Sequence, residues 1–150
     1  MNRTGTNSTI GGGGFHHVAV KAFDFEASMK FYCEGMGFVR KFGWGKDERG
    51  TGGKDSRGAL LDSGDGNYVE LFGGGIQRSP EKEADSAVLH FAFRSSNVDE
   101  AHAHAIAAGA TDMIPPKTVP IDGDTATEFR VAFVKGPDGE VIEFFDNPFL

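Results

Sequence analysis

From Phe15 to Lys21, apolar and polar positions alternate with the period of two that marks a strand. The period then lengthens. Phe25, Met29, Tyr32, Cys33 and Met36 fall along one face of a helix that Asp24 is placed to cap, and Gly35 and Gly37 end it. Phe38 to Trp44 reads as the next strand, 58 to 63 as a third, and Tyr68 to Phe72 as a fourth, entered through the hairpin-turn pair Asp65-Gly66. The same order then returns. Val88 to Phe93 is a strand, and Asn97 with Glu100 three residues on opens a helix that ends near Gly109. A strand at 111 to 114, a proline-bearing loop at 115 to 126, a strand at 127 to 134, the turn Asp138-Gly139 and a strand from Val141 to Phe145 complete it. The predicted fold class is α+β, built from two βαβββ modules in tandem.

The modules are related by a constant displacement of 73 residues. Under it Ala19 meets Ala92, Arg57 meets Arg130, Asp65-Gly66 meets Asp138-Gly139, and Phe72 meets Phe145. Asp24, Phe25, Leu61 and Val69 fall on Asn97, Val98, Val134 and Ile142. Self-similarity at a fixed spacing is the signature of one supersecondary unit used twice. The chain divides into a tail at 1 to 14, module one at 15 to 73, a linker at 74 to 86 and module two at 87 to 146, with 15 to 150 forming one domain. The tail, MNRTGTNSTIGGGG, has the polar, glycine-rich composition of a disordered lead-in, and its Asn7-Ser8-Thr9 sequon reads as chance.

Among the few residues that survive the displacement are ligand types. His17 and Glu70 recur as His90 and Glu143. By strand alternation His17 shares a face with Phe15 and Ala19, Glu70 with Tyr68 and Phe72, His90 with Val88 and Ala92, and Glu143 with Val141 and Phe145. An unpaired carboxylate among such neighbours is costly, since even a neutral polar group without a partner costs about 2–7 kcal/mol. Taken singly, each residue reads as a hydrogen-bonded core histidine or a solvent-facing glutamate. Four related by one displacement read instead as a metal set of two imidazoles and two carboxylates, suited to one divalent ion of Zn, Ni, Co, Fe or Mn.

Composition narrows the partners. A hydrophobic content of 39% with 14 phenylalanines suits a soluble globule. A net charge of −7 argues against nucleic acid and gives no help to anionic membranes. No apolar run is long enough to span a bilayer, no signal-peptide core is present, and the single Cys33 forms no internal disulfide, so a cytoplasmic location is expected.

Other candidates read as structural. His16 falls on the opposite strand face from His17, and its repeat partner is Leu89. His102 and His104 face different directions on their helix, and His102 reads as a boundary histidine on the core-facing stripe. Asp65 and Asp138 are turn residues, and Lys21 and Lys135 read as solvated surface. The stretch 45 to 58 lacks the setting of a phosphate loop. It reads as a mobile surface loop or, alternatively, as a lid or acid clamp using Lys46, Arg49, Lys54 or Arg57.

The stretches FHHVAVKAFDFEASMKFYCEGMGF (15 to 38), NYVELF (67 to 72), AVLHFAF (87 to 93) and VAFVKGPDGEVIEFF (131 to 145) resemble the vicinal oxygen chelate superfamily. That group contains glyoxalase I, methylmalonyl-CoA epimerase, extradiol dioxygenases and bleomycin-resistance proteins. The resemblance implies paired modules curved into a cup, with a metal on its floor held by His17, Glu70, His90 and Glu143. The His-Glu-His-Glu set is most like glyoxalase I. It implies a metal-dependent lyase or isomerase, lactoylglutathione-lyase-like, in which Glu143 or Glu70 moves a proton next to a carbonyl while the metal stabilises an enediolate. The chain departs from the glyoxalase pattern at Lys21 and Gly74, where Arg and Asn contact glutathione. Alternatives are a methylmalonyl-CoA-type epimerase, an extradiol dioxygenase and a non-catalytic drug-binding protein. A homodimer that binds a small carbonyl or vicinal-oxygen substrate is expected, its cup formed within one chain or between two.

Overall fold

Each module folds as one four-stranded sheet with one helical segment packed on it. The computed structural model describes residues 15–78 and 88–148, with Thr6, Ser8 and Thr9. The expectation of a disordered tail at 1 to 14 therefore lies almost wholly outside the described residues, as does most of the linker at 74 to 86. Module one contains β1 (His17–Lys21), α1 (Phe25–Lys30, continued by a π-helical turn at Phe31–Gly35), β2 (Val39–Trp44), β3 (Gly58–Asp62) and β4 (Tyr68–Phe72). Module two contains β5 (Phe91–Arg94), α2 (Val98–Ala107), β6 (Thr111–Ile121), β7 (Thr127–Lys135) and β8 (Val141–Asp146). The sheet orders are β1-β4-β3-β2 and β5-β8-β7-β6, with the first and last strands of each module parallel and the other pairs antiparallel. The two orders are the same order under the 73-residue displacement.

Local interactions repeat as well. The Asp24 side chain caps α1 by accepting from the Ala27 amide, and Asn97 caps α2 by accepting from the Glu100 amide. Arg57 grips Glu26 in the first turn of α1, and Arg130 grips its counterpart Asp99 in the first turn of α2 at 2.6 Å. Each arginine thereby ties a helix start to the sheet beneath it. The helices cover the sheet faces that carry Val20, Leu61, Val69 and Leu71 in module one and Ala132, Val134, Ile142 and Phe144 in module two, and these residues form one continuous core. Complete burial of a Leu or Ile side chain contributes about 1.5–3 kcal/mol, so this shared core is the main source of stability.

Gly35 and Ala108, equivalent under the displacement, meet where the modules join. A Cβ at Gly35 would stand 2.3 Å from the Ala108 Cβ, so this close crossing requires glycine. Contact between equivalent positions is the mark of a local twofold relation. Flanking groups break that symmetry. Asp138 accepts from the Phe23 amide (2.8 Å) and the Ser28 hydroxyl (2.9 Å), and the fully buried Tyr32 donates to Glu140 (2.6 Å). Asp65, the counterpart of Asp138, turns instead to Ser63 and Asn67 in its own turn, and a cleft of about 480 Å³ over Phe38, Phe93 and Phe144 stays open on that side. Asp138 is thus more than the turn residue expected from sequence.

Three boundaries differ from expectation. The strand expected from Val88 starts at Phe91, because β8, its only neighbour, begins at Val141 and offers no backbone further back. The proline-bearing loop expected at 115 to 126 is mostly strand. Pro115, Pro116 and Pro120 lie in β6, an edge strand with irregular register between Asp112 and Lys117, where a missing N–H disrupts least. The strand expected from Phe15 starts at His17, while the first helix ends where expected, through a π turn at Gly35 followed by Gly37 at a left-handed φ of 73°.

Tyr32→Phe removes the hydroxyl that satisfies Glu140, and the expected loss is about 1.5–3 kcal/mol, read from the urea midpoint. Burial pushes the Glu140 carboxyl up, against the pull of the Tyr32 hydroxyl. A carboxyl raised in the fold is most favourable below its unfolded value, and that contribution is lost as pH rises through the raised one. The stability of Glu140→Gln relative to the native chain should therefore improve as pH rises above the ordinary glutamate value of about 4.3. A pH-independent difference would contradict this assignment.

Candidate metal centre

In module one, His17 is the first residue of β1 and Glu70 the middle of β4, and parallel pairing sets Ala19 beside Glu70. His17 Nε2 lies 3.1 Å from Glu70 Oε2. In module two, His90 stands just before β5, Ala92 pairs with Glu143, and His90 Nε2 lies 3.0 Å from Glu143 Oε2. The same two side chains are thus brought together twice by the same register. Two donors about 3 Å apart match neighbouring ligands of one ion, given metal–N and metal–O bonds of about 2.0–2.2 Å. Each pair fits half of a mixed nitrogen and oxygen site. The halves do not join within the chain: among the described residues, no group of three or more His, Cys, Asp or Glu is placed to hold a metal.

The reason lies in the sheet faces. Val18 and Val20 of β1 and Val69 and Leu71 of β4 point to the helices, so His17 and Glu70 project from the opposite face. That face is apolar. Phe42, Leu60 and Glu70 form one row across β2, β3 and β4, and Trp44 packs edge-on to Phe72 at 5.7 Å. Gly58 makes this possible, since a Cβ there would come within 2.3 Å of the Trp44 ring. Module two matches it with Phe133 and Glu143 in one row and Phe129 against Phe145 at 5.1 Å. Among the described residues no helix covers either face, and the histidine side chains remain 41% and 37% exposed. The expected apolar neighbours Phe15 and Val88 are themselves exposed, because both precede their strands.

Burial raises the Glu143 carboxyl, with the nearby His90 opposing that shift. The His90 ring stands edge-on to Phe133 at 5.2 Å. His17 is held differently. Its Nδ1 lies 2.9 Å from the Nδ1 of His16. Strand alternation predicts His16 on the far face, but β1 begins only at His17; the His16 carbonyl accepts from the Tyr68 amide and its ring turns towards Tyr68, with ring centroids 5.1 Å apart. Nothing in the hydrophobic pattern signals this contact; only the adjacency of two histidines does.

The remaining candidates take structural places. His102 bonds Asp112 at 2.8 Å and is a satisfied boundary histidine. In the stretch 45 to 58, Arg49 pairs with Asp47 at 2.7 Å and Arg57 with the buried Asp55 at 2.9 Å. The Arg57 pairing lowers the Asp55 carboxyl. Two of the four basic residues offered as an acid clamp are therefore already occupied by carboxylates of the same loop, which braces the segment against Gly73.

Residues 14–144 match the family model for the Glyoxalase/Bleomycin resistance protein/Dioxygenase superfamily. The Escherichia coli (strain K12) "Uncharacterized protein YaeR" is 29% identical over 134 residues, covering 88% of this chain and 95% of that protein. The glyoxalase family protein from Enterococcus faecalis superposes with a TM-score of 0.63 at 24% identity, over 89% of this chain and 97% of that one. The V278E glyoxalase I mutant of Zea mays superposes with a TM-score of 0.60 at 18% identity, over 89% of this chain and 44% of that one. At such identities the superpositions establish the fold. No helix among the described residues is long and apolar enough to cross a membrane. With its two βαβββ modules and matched sheets, the chain belongs to the Glyoxalase/Bleomycin resistance protein/Dioxygenase superfamily.

Proposed function

We propose that the chain is a metal-dependent lyase or isomerase that moves a proton next to a carbonyl, working as a homodimer. The observation that carries this reading is the doubled His–Glu pair, with Nε2 and Oε2 about 3 Å apart at equivalent positions of both modules. His17 and Glu70 of one subunit would meet His90 and Glu143 of the partner subunit, twice over, in a closed isologous arrangement. Two apolar sheet faces left uncovered in the single chain, with Phe42 61% exposed, supply the area for such a contact.

The four side chains together would hold one divalent ion, which supplies Lewis-acid stabilisation of negative charge on a substrate oxygen. The aromatic residues around them, Trp44, Phe72, Phe129 and Phe145, exclude water from the cup and strengthen charge interactions inside it. Glu143 is the proton carrier in this reading. It is the more buried of the two glutamates, its side chain 12% exposed against 19% for Glu70. Lys21 and Gly74 stand where the glyoxalase I pattern has an Arg and an Asn for glutathione, and this departure favours a small carbonyl substrate without a glutathione carrier.

Elemental analysis of the purified protein should give about one divalent ion per chain, and sedimentation should give a dimer that weakens on chelation. A strictly monomeric protein that still holds one ion per chain would contradict the shared site. Glu143→Gln, assayed on carbonyl compounds with an acidic α-proton, should lower kcat by about 10²-fold or more. Unchanged turnover with metal retained would remove Glu143 from the proton-transfer role.

A further inference from the structure

We infer that His16 is a positioning residue that fixes which nitrogen of His17 carries the proton, so that Nε2 is free to bind a cation. This rests on the metal reading above and concerns how one half of that site is prepared. A neutral imidazole has one N–H and one lone pair. His17 Nε2 faces Glu70 Oε2 at 3.1 Å, so it is the nitrogen that shares a cation with Glu70. The other nitrogen, Nδ1, must then carry the proton and needs an acceptor. The Nδ1 of His16 lies 2.9 Å away.

His16 is itself held in place. Its carbonyl accepts from the Tyr68 amide at 2.8 Å, and its ring packs on the Tyr68 ring, while the two histidine rings stand edge-on at 87°. In the metal-free chain the natural partner of Glu70 is an N–H at His17 Nε2, which leaves His17 Nδ1 to accept from His16 Nδ1–H. In the cation-bound chain both rings carry the proton on the other nitrogen: His17 donates from Nδ1, and His16 keeps its proton at Nε2, open to solvent.

Among the described residues, module two shows no such histidine pair. Leu89, 78% exposed, stands where His16 does, and His90 is oriented by its contact with Phe133. The doubled site is therefore asymmetric. One histidine is fixed by a hydrogen bond and the other by ring packing.

The test is zinc titration of the full chain, read by calorimetry and by nitrogen-15 NMR of the imidazoles. The native protein should bind zinc with His17 protonated at Nδ1 and His16 at Nε2. His16→Phe keeps a ring on Tyr68 but removes the acceptor, and should weaken zinc binding about 10- to 100-fold. His16→Asn places an oxygen where the ring nitrogen stood, and should restore most of that loss. If His16→Phe binds zinc as tightly as the native chain, or His17 coordinates through Nδ1, the role of His16 is overturned while the metal site stands. If the native chain binds no zinc, cobalt or nickel, the metal site and the role of His16 both fall.

Discussion

A sheet has two faces, and each module of this chain owns one helix. That arithmetic governs the rest of the molecule. The helix covers the face bearing Val69 and Leu71 or Ile142 and Phe144, and the other face, with its aromatic residues and its single His–Glu pair, has no helix over it among the described residues. Strand alternation then places core residues and ligand residues on opposite sides of the same strands, one position apart. Leu71 is fully buried beside Glu70, and Phe144 is buried beside Glu143. A face of this kind is completed by a second surface, and the chain carries two that match in chemistry.

The duplication was readable because it preserves the residues that polar geometry cannot spare. Asp24 and Asn97 both cap, Arg57 and Arg130 both anchor an acid in the first helical turn, and the His–Glu pairs recur in the same register. Periodicity located the strands that pack on a helix on one side. It failed where tertiary context decides. β6 absorbs three prolines because it is an edge, and β5 is short because β8 begins only at Val141. No local pattern distinguishes an edge strand from a loop when prolines interrupt it. The recurrence of His17 and Glu70 as His90 and Glu143 was legible, but their separation into two pairs was not, since it depends on how the modules pack.

That packing is itself directed by residues outside the repeat. Asp138 and Glu140 reach across to Phe23, Ser28 and Tyr32, whereas Asp65 stays within its own turn. One side of the junction is thereby latched and the other left as a cleft. Had both sides been latched alike, the pseudo-twofold would be nearly complete. As it is, Asp138 is almost fully buried and wholly satisfied, so the junction holds the modules with their ligand faces apart.

The central claim is that each ion is shared between module one of one subunit and module two of the other. Subunit complementation tests it most directly. His17→Ala and His90→Ala are prepared separately, shown to lack zinc, then mixed under conditions of subunit exchange. A shared site predicts that the mixed dimer regains one intact site, so that zinc binding returns at about half the native stoichiometry per dimer that contains both variants. Zinc binding that stays absent after demonstrated exchange would contradict the shared site and place all four ligands within one chain.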